Sequence, residues 1–178
     1  TRPDVKAYES LGGRWVESMG IYNWAFLRPT SHSNIAGELY DGKNRFASPY
    51  MAARGRWMRD MLTAPVNDKG RGFPPHGAHS GGYLVPRYLP MYQTAQWLMN
   101  YDPLLAEHLY WSGTEGEDVE RKPTYTDWHI PYNKMYQGSS TGTNPHLKST
   151  KYTGHGIVLR AGVDTDEELS IHLEQVDK

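Results

Sequence analysis

The sequence predicts an α+β protein with its helices first and its strands last. Two observations carry that reading. Ser48-Pro49 and Asp102-Pro103 each open a stretch of helical periodicity. Near Gly156 the apolar pattern then switches to strict alternation, which is the strand period.

Taken in order, Tyr22–Leu27 (YNWAFL) is a short apolar run that leaves strand or helix open. A loop, RPTSHSN, is expected after it. Ser48 suits an N-cap and Pro49 the first helical position, where a missing N–H costs nothing. Met51, Met58, Met61 and Leu62 repeat on one face of that helix, which Ala64-Pro65 ends. Arg56 and Arg59 share another face and Arg54 points away, so the three arginines read as a solvated surface.

Val66–Val85 is expected to be a long loop, and loops of that length are usually functional or disordered. A second helix is expected over Leu89–Asn100, with Pro90 tolerated in its first turn and Tyr92, Ala95 and Met99 in phase. Asp102-Pro103 starts a third helix, continued by Leu104, Leu105, His108 and Leu109 and stopped near Gly113. His108, on its apolar face, reads as a core residue. Gly113–Thr153 reads as an exposed, aromatic-studded linker.

In GIVLRAGV, Ile157, Leu159, Ala161 and Val163 alternate with Val158 and Arg160, and in LSIHLEQV, Leu169, Ile171 and Leu173 alternate with Ser170, His172 and Glu174. That predicts a β-hairpin with one buried apolar face and DTDEE as its turn. Pairing Val163 with Leu169 sets Arg160 opposite His172 on the outer face. Two strands are marginal alone, so the sheet is expected to gain partners from a further chain, a missing segment or the N-terminal region.

The 178 residues carry 19 basic and 20 acidic side chains, a net charge of −1. That balance argues against nucleic acid as a partner and against a polybasic membrane contact. No run approaches the ~20 apolar residues that span a bilayer. The opening TRPDVKAYES lacks a signal-peptide pattern and an initiator Met, which reads as a processed chain or a fragment. The absence of Cys excludes disulfides and thiolate metal sites, and fits an exported protein, periplasmic or extracellular. Tyr (13) and Trp (6) outnumber Phe (3), and such rings stack on the apolar faces of sugars as well as filling cores. No Walker loop, Rossmann glycine fingerprint or G-x-S-x-G is present.

The C-terminal KYTGHGIVLRAGVDTDEELSIHLEQVD resembles the opening hairpin of the β-sandwich in heparinase II/III-like polysaccharide lyases. YLPMYQTAQWLMNYDPLLAEHLYW resembles the last helices of their incomplete α/α toroid, and the likeness runs roughly from Ser33 to Lys178. It implies a helical, toroid-like portion over 1–113, a linker over 114–151 and the first sandwich hairpin over 152–178, with the fold incomplete in this chain. The implied activity is β-elimination on a uronic-acid polysaccharide. That chemistry needs donors for the substrate carboxylate, a base for the C5 proton and an acid for the leaving oxygen.

Residues of the right kind are present. Asn34 would neutralise the carboxylate. His76 or His79 would serve as base or second donor, and Tyr83 as proton donor, on the deformable stretch GFPPHGAHSGGY. His32 would assist from the TSHSN loop. Trp128 and Tyr132, with Tyr136, would form a sugar-stacking rim, while Arg160 and His172 would line a groove against the toroid. His76 and His79, three apart, could also share a divalent metal, zinc or calcium, with His32, Asp127 or His129 as a third ligand. Each loop histidine has a plainer reading as a solvated side chain. Two rivals stand beside the lyase. One is a toroidal glycoside hydrolase using Glu38, Asp41 or Asp127 as its acids, and the other is a non-catalytic glycan-binding or structural fragment.

Overall fold

The computed structural model describes residues 22–66, 70–74, 88–115, 138–139, 141–152 and 156–174, with backbone alone at 22–31 and 88–90. The described elements are helices α1 (Tyr22–Asp41), α2 (Pro49–Asp60), α3 (Tyr88–Leu98) and α4 (Pro103–Thr114), then strands β1 (Thr150–Tyr152), β2 (Gly156–Ala161) and β3 (Leu169–Glu174). The mixed α+β order is the one expected from the sequence.

Helix α1 corrects the first expectation. The segment RPTSHSN is not a loop but lies inside a 20-residue helix. Pro29 and the short polar residues around it disfavour helix, yet intrinsic propensity is a weak prior that tertiary context overrides. Ile35 and Glu38, three apart, are both buried. The helix ends where Gly42 turns left-handed (φ 74°) and its N–H donates to the Glu38 carbonyl at 2.7 Å.

The two capped helices form as expected. The Ser48 hydroxyl accepts from the Met51 N–H at 3.2 Å, and the Asp102 carboxylate from the Leu105 N–H at 3.1 Å. Met51, Met58, Met61 and Leu62 are buried along α2. Gly55 lets α2 approach its neighbours closely, since a Cβ there would stand 3.0 Å from a Leu109 methyl and 3.3 Å from one of Leu98. Helix α3 is central, with every side chain from Met91 to Leu98 buried. Gly113 does not stop α4. It is buried within the helix, and the left-handed cap falls on Glu115 (φ 55°).

The connection from α1 to α2 is pinned to α3. The Phe46 ring stacks on Trp97 at 3.9 Å and 3°. Asn44 accepts from the Phe46 N–H and donates to the Trp97 carbonyl, each at 3.0 Å.

The described part of the expected linker is tied down. Glu107 on α4 accepts the Ser139 N–H through its carboxylate and the Thr143 N–H through its carbonyl. Gly142 (φ 71°) sits so close to α4 that a Cβ would lie 2.6 Å from the Trp111 nitrogen. Leu147 is buried in the core. The segment then becomes β1, a strand not expected from the sequence, giving an antiparallel sheet in the order β1-β2-β3.

The hairpin register also differs. Arg160 pairs with Ser170 and His172 with Val158, so the register is shifted by two from the expected one. Gly162 (φ 61°) and Asp164 (φ 64°) leave β geometry early, and pairing stops at Ala161–Leu169. A shift of two keeps the same residues together on each face. Which face is buried, however, is reversed. Leu159, Leu169, Ile171 and Leu173 are 44–67% exposed, while Val158 is 1% exposed. The face carrying Val158, Arg160, Ser170 and His172 turns toward the helices. The alternation was readable, but alternation alone does not say which side finds partners.

Candidate functional site

The described residues concentrate their charge chemistry at the seam between the helices and the sheet. The chain leaving α2 provides its centre. Thr63 and Gly72 exchange bonds across the loop, the Thr63 N–H to the Gly72 carbonyl and the Gly72 N–H to the Thr63 hydroxyl. Arg71 is thereby held with its side chain 5% exposed. Its two terminal nitrogens donate to the Glu168 carboxylate at 2.5 Å each, a bidentate fork, and its backbone N–H donates to Glu115 at 2.6 Å. Glu168, at the end of the hairpin turn, also accepts from the Asp164 N–H at 3.2 Å.

Arg160 closes the other side. Its guanidinium is fully shielded, donates to the carbonyls of Asp60 (2.9 Å) and Leu62 at the end of α2, and lies 3.6 Å from Glu168. A cation at a helix C-terminus meets carbonyls without intrahelical partners. Burial pulls the Arg160 pKa down, and the Glu168 carboxylate opposes that pull. Ser170 accepts the Ala64 N–H at 2.8 Å. The Tyr152 hydroxyl donates to Asp60 at 2.8 Å, and Asp60 also takes the Arg59 guanidinium at 2.7 Å. Burial, with the Asp60 charge beside it, pushes the Tyr152 phenol well up, so Tyr152 remains a donor. His108 meets Arg59 at 3.3 Å, and desolvation with that cation nearby pulls its pKa down. His108 is therefore half-buried and polar-paired rather than a core residue, and Leu104 is exposed.

Among the sequence candidates, Asn34 and His32 both lie on α1. Two positions apart on a helix, they do not share a face. Asn34 is half-buried and shares its face with buried Glu38, four positions on. Arg160 is corrected: expected to line a groove for substrate, it is spent on helix carbonyls and Glu168 with no exposed side-chain surface. His172 stands on the same helix-facing side, half-buried, with both ring nitrogens shielded from solvent. Arg54, read as solvated, is fully buried. His76, His79, Tyr83, Trp128 and Tyr132 lie outside the described residues, as do Asp127, His129 and Tyr136.

Sequence reasoning missed Arg71, Glu168, Asp60 and Tyr152. Glu168 read as part of a polar turn, and its partner Arg71 lies 97 positions away, beyond any local signal. Among the described residues, no three His, Asp or Glu side chains gather to hold a metal, and no helix is long and apolar enough to cross a membrane. Comparison with protein-family models, curated proteins and solved structures found no match.

Proposed function

We propose that the chain belongs to an exported polysaccharide lyase that cleaves a uronic-acid polymer by β-elimination, with a toroid-like helical portion and the first strands of a sandwich. One observation supports this beyond the sequence resemblance. The sheet presents an imidazole, His172, to the helical side rather than to solvent. That is the placement by which a sandwich strand can lend a histidine to a site on the helices.

In the proposed reaction, donors including the Asn34 amide hold the substrate carboxylate, which makes charge developing at C5 tolerable. His76 or His79 removes the C5 proton. The electron pair forms the C4–C5 double bond as the C4–O bond breaks, and Tyr83 protonates the departing oxygen. The hydrolase rival is weaker on the described residues. The Arg45 guanidinium, 2.6 Å from Asp41, holds that carboxyl below the usual range, which fits it for the ionised partner and not for the general acid.

The test is a panel of uronate polymers followed by near-ultraviolet absorbance. Turnover should raise the absorbance as the conjugated double bond forms. Asn34→Ala should lower the rate by roughly 10²–10³ with helix content unchanged. New reducing ends without absorbance would replace the lyase by the hydrolase. No turnover on any polymer, with glycan binding retained, would favour a binding module.

A further inference from the structure

We propose that the three-stranded sheet opens from the helices as a unit of its own, with Glu168 as its latch. This does not rest on the lyase reading. The helices close their own core. Trp57, Met58, Tyr92, Trp97, Leu109 and Tyr110 are all at most 2% exposed. Of the side chains on the described strands, Val158 alone is fully buried in that core, Tyr152 packs partly against it, and the sheet's main apolar surface points away from it. A sheet seated by packing would show the opposite arrangement.

What seats it instead is polar. Glu168 grips Arg71 with both oxygens, Arg160 reaches the carbonyls of Asp60 and Leu62, Ser170 takes the Ala64 N–H, and Tyr152 reaches Asp60. Buried ion pairs return little net stability, because desolvation offsets their attraction. Arg160 adds to that cost. Among the described residues, its buried Nε and Nη1 meet no hydrogen-bond acceptor. An interface of this composition resembles a contact between domains, for which relative motion is the ordinary expectation. Local units can open well below the free energy of global unfolding. Since His172 rides on β3, opening would carry it away from the helices.

Native-state hydrogen exchange on the full chain, across low denaturant concentrations, tests this. Amides of β2, the central strand, should exchange at least about tenfold faster than those of Met58, Ala95 and Leu109 in the helices, with a shallower denaturant dependence. In Glu168→Gln, exchange in β2 should rise on the order of a hundredfold, and the helical amides by a similar factor because the docked state is the reference for both openings, with the strand isotherm still below the helical one. A single isotherm shared by strands and helices in the wild-type chain would overturn the proposal, whether or not the variant folds. So would a Glu168→Gln protein whose strand amides do not shift.

Discussion

Trp97→Ala is expected to lower the free energy of unfolding by about 3–5 kcal/mol, the usual cost of truncating a buried tryptophan. Trp97 is 1% exposed and lies face to face with Phe46. Its backbone carbonyl accepts the Asn44 side chain that shapes the connection from α1 to α2. Truncation would open a cavity beside Phe46 and loosen the point where three helices are tied. Among the described residues the buried indole Nε1 has no hydrogen-bond partner, so the contribution is one of packing. Trp97→Phe should therefore recover much of the loss. Denaturant midpoints measure both, with the slope expected to stay constant.

Glu168→Ala should cost about 3–5 kcal/mol for a different reason. Removing the carboxylate leaves the Arg71 guanidinium, 5% exposed, without the partner that both its terminal nitrogens address. It also leaves Arg160, fully shielded, with the carbonyls of Asp60 and Leu62 and the more distant Asp60 charge to answer its own. The cost lies in shielded cations left with weaker counter-charges, Arg71 with Glu115 at 3.8 Å and the Thr63 carbonyl, more than in the lost bonds. Replacing both partners, as in Arg71→Met with Glu168→Leu, should then restore more than half of the stability lost in Glu168→Ala. A double-mutant cycle reads this directly as a large favourable coupling, and strictly additive losses would contradict it.

The parts of the fold legible in the sequence were those with local causes. Ser48-Pro49 and Asp102-Pro103 announce helix starts because a cap acts within three residues of itself. The polar turn before Leu169 was legible because Gly and Asp adopt left-handed backbone there. Other features depended on distant partners and were not legible. Helix α1 runs through Pro29 and the polar residues after it against its own propensities. Arg160 and Ser170 turn inward because the end of α2 offers carbonyls and an N–H to meet them. A pattern reading ranks Leu and Ile as inside and Arg as outside, with no means of knowing that a Glu near the hairpin and an Arg beyond α2 make the polar side the better fit.

The candidate site divides the same way. Asn34, expected on a loop, sits on a helix, and His172, expected opposite Arg160, pairs with Val158. The charge network at the seam has no short motif. Its members are separated by 97 positions for Arg71 and Glu168 and by 92 for Asp60 and Tyr152.

The seating of the sheet by its polar face is open to direct measurement, because the chain has no cysteine of its own. Single cysteines at Val158 and Leu159, adjacent on β2, report opposite faces. The thiol of Leu159→Cys should react with a soluble maleimide at nearly the rate of a free peptide, and that of Val158→Cys at least about tenfold more slowly. Fast labelling at 158 with protection at 159 would mean that the apolar face is the one packed against the helices.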